Sequence, residues 1–278
     1  MVEVFPPQET VDGYTGAARA FLERACTFLL STGAADAEQS LDFVRTVFPA
    51  TEEEGGCNHS VIEATQAAIL LKSHLLEFCE ASDQEPMSSL RFGIGVECFA
   101  WSAPELELPI SVRDGIRALC LANKRFGSQI VIGARAQRLA GDSIEVRPLE
   151  LMEDPDTGLP LEVYELLGES GNLSDDELLE RDAFWEGVVC LRSGNHDGAI
   201  ERFERARSGE KVDPVLDYYL ARSRGEELED DLTHGDAADE EIDSIPVAYY
   251  RESDSEDRME TFIDVEDAVE IQIAPEKQ

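Results

Sequence analysis

The chain has 278 residues, 42% of them hydrophobic, and carries a formal net charge of -37. That length holds one good domain with an appendage, or two small domains. So acidic a chain repels phosphate backbones and anionic lipid headgroups, which argues against nucleic acid or a membrane surface as partner and leaves basic partners and divalent cations open. The six cysteines are scattered with no Cys-x-x-Cys pair, and Cys57 with His59 has no second pair to complete a zinc site. The opening MVEVFPPQET is not a signal peptide, and no apolar run approaches the ~20 residues of a membrane span. A cytoplasmic protein is expected.

Taken in chain order, apolar residues recur at helical spacing from about Val11 to Leu30, through Ala17, Ala20, Phe21, Ala25, Phe28 and Leu29, and predict an amphipathic helix closed by Gly33. LDFVRTVFPAT then reads as a strand, and TEEEGGCN as a loop punctuated by Gly55 and Gly56. SVIEATQAAILLKSHLLEFCEA, rich in Ala and Leu with no interior breaker, is the strongest helix signal. LRFGIGVECFAW predicts a buried strand, SVRDGIRALCLANKRFG a helix stopped by Gly127, and QIVIG a short β-branched strand. SIEVRPLELM and LPLEVYELLG predict two further strands joined by the turn sequence EDPDTG. Up to about Gly168 the expected fold is α+β, one sheet with helices packed on it.

From Ser174 the pattern becomes helical. Ser174 and Glu177 form a capping box at the entry, and the helices continue through DPVLDYYLARSRG. From Glu226 onward twenty acidic residues stand against three basic ones, which predicts a largely disordered tail. The expected organisation is therefore a domain over residues 1–170, a helical segment over 171–225 and an acidic tail over 226–278.

ANKRFG, with Asn123, Lys124, Phe126 and Gly127, followed by VYELLG from Val163 to Gly168, resembles the C-terminal third of class III adenylate/guanylate cyclase domains. LRFGIGV resembles that family's Arg-x-Gly-Ile-Gly strand, and the run from Asp42 to Phe48 is similar to its Gly-Asp-xxxxx-Phe hairpin. The resemblance covers roughly residues 9–168 and implies a ferredoxin-like cyclase-type sandwich. The segment after it is similar to a tetratricopeptide repeat, with Gly187, Gly194, Ala199, Phe203 and Ala206 at that repeat's small and aromatic positions. One repeat cannot bury its own face, so it is expected to pack on the domain or on another protein. Trp185, Leu191, Phe203 and Tyr218 are the candidate protein-interaction residues, although Trp185, Leu191 and Tyr218 read as core first and binding groove second.

Cyclases of this class close a ring by attack of a ribose oxygen on the α-phosphate. They need two divalent metals on two Asp carboxylates, and a helical Asn and Arg for the ribose and the developing charge. The resemblance places Asp42 at the second metal position, as a vestigial ligand, and Thr10 at the first, where a hydroxyl lacks the required charge. Glu38 falls where a base-reading Lys would stand, and Asp114 and Ala118 fall at the Asn and Arg positions. Glu97-Cys98-Phe99 replaces the Thr-Gly that follows the Gly-Ile-Gly strand. Packing positions are kept while catalytic ones change. This pattern implies a non-catalytic regulatory or scaffold protein without a cofactor, whose partner is a cyclase or a second copy of itself. The alternatives are one half of a heterodimeric cyclase and a nucleotide-binding sensor without turnover.

Overall fold

The computed structural model describes residues 1–5, 13–50, 55–82, 87, 90–99, 108–153, 160–207 and 212–226. Thr10, the EDPDTG turn beyond Glu153 and the acidic tail beyond Glu226 lie outside the described residues. Strands β1 (Val2–Phe5), β2 (Asp36–Gln39), β3 (Phe43–Val47) and β4 (Arg91–Val96) are interleaved with helices α1 (Tyr14–Ser31) and α2 (Gly56–Glu80). Next come α3 (Ile110–Phe126), β5 (Ile130–Gly133), α4 (Ala134–Ala140) and the hairpin of β6 (Ile144–Glu153) and β7 (Pro160–Glu169). Three helices close the described chain: α5 (Asp175–Arg192), α6 (His196–Arg205) and α7 (Pro214–Arg224).

The seven strands form one sheet in the order β2-β3-β1-β4-β5-β7-β6. Its first four strands are antiparallel neighbours in the ferredoxin-like β-α-β-β-α-β arrangement. β4 and β5 are parallel, joined by α3 as the crossover, and the β6–β7 hairpin pairs antiparallel to β5. The α+β expectation therefore holds. Reading by residue pattern finds β3 but not β2, places Cys57 in a loop rather than in the first turn of α2, and passes over β1 and α4.

Helices cover both faces of the sheet. On one face Phe21, Leu22 and Ala25 of α1 and Leu71 and Leu75 of α2 pack on Val4, Val44, Phe92, Ile94 and Ile132. On the other, Ile116, Leu119 and Phe126 of α3 share one cluster with Val131, Leu149 and Val163 of the sheet and with Phe184, Phe203 and Tyr219 of the last three helices. The helical segment thus buries its apolar face against the sheet of the same chain. Ser174 caps α5 as its sequence predicts: its hydroxyl accepts from the Glu177 N–H at 3.3 Å, and its own N–H donates to the Glu177 carboxylate at 2.9 Å.

The motif glycines let α3 lie close on β4. A Cβ on Gly93 would stand 2.7 Å from the Asn123 Cβ and 2.7 Å from the Cys120 carbonyl, and one on Gly95 would stand 3.0 Å from the Ile116 carbonyl. Gly127 ends α3 at φ 71, a left-handed conformation that costs glycine little.

Candidate functional site

Asp42 occupies the tight turn between β2 and β3, where its carbonyl accepts from the Val4 N–H at 2.8 Å and ties the turn to β1. Its carboxylate is 3.6 Å from Nη2 of Arg117 on α3. The same guanidinium donates from Nε to Glu3 at 3.3 Å. Glu3 sits in the middle of β1 with 4% of its surface exposed, and its second oxygen, Oε2, has no hydrogen-bond partner. Burial, together with the nearby Asp42 charge and against the pull of Arg117, pushes the Glu3 carboxyl up to about 7. Tyr14, at the start of α1, is pushed up to about 12 by burial and by Asp42.

The sequence left Asp42 as a lone carboxylate with no opening strand before it. The structure supplies both the strand and a second acid, and it also supplies the cation that neutralises them. A positively charged side chain between two carboxylates does not fit a divalent metal held by the same pair. Among the described residues no group of three or more His, Cys, Asp or Glu is placed to hold a metal ion. MVEVF is too short a run for residue alternation to place Glu3 on a strand. Nothing local could have paired it with an arginine 114 positions away.

The remaining motif positions are accounted for by packing and charge. Asn123 is 1% exposed; its Nδ2 donates to the carbonyls of Ile94 at 3.0 Å and Leu119 at 3.1 Å, and its Oδ1 accepts from the Ser128 hydroxyl at 3.0 Å. It fastens the end of α3 to β4. Glu38 lies opposite Arg45 across the β2–β3 hairpin and pairs with it. Asp114 is exposed and Ala118 half-buried. The interaction candidates divide. Phe203 is fully buried, and Leu191 and Tyr218 are partly buried against the same cluster. Trp185 remains 39% exposed, stacked on Tyr164 at 6.2 Å.

The buried acid has a measurable consequence. As pH rises through the usual carboxylate range near 4.5, the unfolded chain releases the Glu3 proton first, while the folded chain holds it until about 7. Stability therefore falls between those values, by about 3 kcal/mol at roughly 1.4 kcal/mol per pKa unit. Urea unfolding at pH 5 and pH 8 is expected to show that loss, and Glu3→Gln to remove most of it. A Glu3→Gln profile parallel to that of the parent would sink the assignment.

No model of a protein family matches the chain, and no curated protein matches it. Among solved structures it is similar to the guanylyl cyclase Cya2, at 13% identity and a TM-score of 0.47, covering 62% of this chain and 93% of that one. It is also similar to the guanylate cyclase domain of RhGC from Catenaria anguillulae, solved with GTP, at 14% identity and 0.44, covering 61% and 94%. A third is the adenylyl cyclase CyaB from P. aeruginosa, at 15% identity and 0.39, covering 60% and 88%. No described helix is long and apolar enough to cross a membrane.

Proposed function

We propose that this chain is a non-catalytic regulatory or scaffold protein related to class III nucleotide cyclases, acting through protein–protein contacts. The observation that carries this reading is Arg117, whose guanidinium stands 3.3 Å from Glu3 and 3.6 Å from Asp42. A metal-dependent cyclisation needs such carboxylates free to hold divalent cations. Here a side chain of the same molecule neutralises them at no entropic cost of association. Asp114 and Ala118, at the positions where the resemblance requires Asn and Arg, lend the same support: an exposed carboxylate repels a phosphate and a methyl group offers it nothing. The face that this fold uses for dimerisation, or the outer side of the helical segment where Trp185 is 39% exposed, is then the surface proposed to meet a partner, a cyclase or a second copy of this chain.

The test is a turnover assay. The purified chain with ATP or GTP and Mn²⁺ is expected to yield no cyclic product alone, and to alter the rate of a class III cyclase when mixed with it. Product from the chain alone, abolished by Asp42→Ala, would overturn the reading. Product that appears only on mixing with an inactive cyclase variant would instead favour half of a heterodimeric enzyme.

A further inference from the structure

Among the described elements α3 is the most basic, in a chain that is strongly acidic. Its sequence ISVRDGIRALCLANKRF carries Arg113, Arg117, Lys124 and Arg125 against a single acid, Asp114. At 3.6 residues per turn, positions 113, 117 and 124 fall within about 40° of one another and form a stripe along one flank of the helix. Only part of this charge is neutralised within the structure. Arg117 is committed to Glu3 and Asp42, and Arg125, on the other flank, meets the Tyr218 hydroxyl at 3.3 Å. Arg113 and Lys124 form no ion pair with a described residue, although Arg113 is exposed and Lys124 partly so. By contrast, every arginine of α5, α6 and α7 has a carboxylate within 3.2 Å.

The same chain supplies matching anions within reach. Residues 227–247, outside the described residues, contain nine Asp and Glu and neither Lys nor Arg. They follow α7, and α7 begins against the end of α3. A Cβ on Gly127 would stand 2.4 Å from the Pro214 Cβ, and Phe126 packs edge-on to Tyr218 at 5.0 Å. α7 has 11 residues, so its far end lies no more than roughly 25 Å from Lys124. About seven or eight extended residues cover that span, and the stripe from Lys124 to Arg113 is itself only about 16 Å long. Asp236, Asp239, Glu240, Glu241 and Asp243 then fall at the right distance to lie along it. We propose that residues 227–247 fold back as an acidic strap on this flank of α3, their carboxylates meeting Lys124 and Arg113. Tethering gives the segment an effective concentration of order millimolar, which favours it over a free acidic partner. The strap rests on charge and reach and is independent of the proposed function.

The test is zero-length carbodiimide coupling of the full chain, read by peptide mass spectrometry, which joins a lysine amine to a carboxylate only where the two touch. Lys124 is expected to form amide links to residues 227–247. Lys72, on α2 at the opposite face of the sheet, should form few links to that segment. Added salt at 1 M, where the Debye length is about 3 Å, should remove the Lys124 links. Arg113→Glu, a reversal of an exposed charge, should lower their yield about fivefold, the upper value for an exposed ion pair. Lys124 links no more frequent than those of Lys72 would overturn the proposal, as would links that neither salt nor Arg113→Glu reduces. In an equal mixture of isotopically light and heavy chains the links should stay within one chain. Links that pair light with heavy in random proportion would also overturn the strap, by assigning the segment to a second copy.

Discussion

Arg147→Met is expected to lower stability by about 3–5 kcal/mol, the usual consequence of removing one partner from a buried ionic network. Arg147 lies on β6 with its side chain 11% exposed. It donates to Glu165 on β7 at 2.6 Å, and with both terminal nitrogens to Asp213 at 2.6 and 2.8 Å. Its guanidinium carbon also stands 4.7 Å above the Phe184 ring. Asp213 in turn caps α7, accepting from the Leu216 N–H at 3.1 Å. One side chain therefore joins the sheet, α5 and the start of α7. Burial alone would raise the Asp213 carboxyl, but the bonds and charge of Arg147 hold it below its ordinary value. The pair's contribution is thus present at neutral pH and lost as pH falls through that lowered value. Urea unfolding at pH 7 measures the effect, and hydrogen exchange in α5–α7 should rise before exchange in β4. Combining Arg147→Met with Glu165→Leu and Asp213→Asn should recover most of the loss, since no charge is left buried and Asn still caps a helix. A single variant within 1 kcal/mol of the parent would show that the network is not needed to hold the helices down.

Phe203→Ala should be about as damaging, at roughly 3–5 kcal/mol for a buried phenyl removed from a packed site. The ring is fully buried between Phe184, at 5.3 Å, and Tyr219, at 5.5 Å. It also presses on α5 where residue 187 is glycine: a Cβ there would come within 2.5 Å of the ring. Phe203 and Gly187 are complementary halves of one contact, so Gly187→Val should destabilise as well. Trp185→Ala should cost only about 1 kcal/mol, the scale of an exposed aromatic pair. If Phe203 served a partner from the surface, its replacement would leave the urea midpoint unchanged and weaken binding instead. The structure predicts the reverse, and it leaves Trp185 as the one of the four interaction candidates that presents substantial surface.

Local signals located most of the elements. Gly127 stops α3 because its αL conformation is cheap for glycine, and the Ser174–Glu177 box starts α5 because both partners lie within one turn. The β-branched run QIVIG marked β5, and the turn sequence EDPDTG between SIEVRPLELM and LPLEVYELLG separated β6 from β7, for the same reason: neighbours along the chain carry the whole signal. β1 escaped because four residues offer too little periodicity, and β2 because DAEQ is an exposed edge strand with no apolar face to read.

The sequence by itself determined the α+β class, the order of its principal elements, and the Gly127 and Ser174 caps. Only the tertiary structure decided which charges meet. Arg117 reaches Glu3 across 114 positions and Arg147 reaches Asp213 across 66. Those pairings depend on where the crossovers and helices return the chain to the sheet, a matter of long-range packing that no local window of residues encodes. Asp42, a lone carboxylate in the sequence, becomes in the fold one end of an acid–arginine–acid bridge.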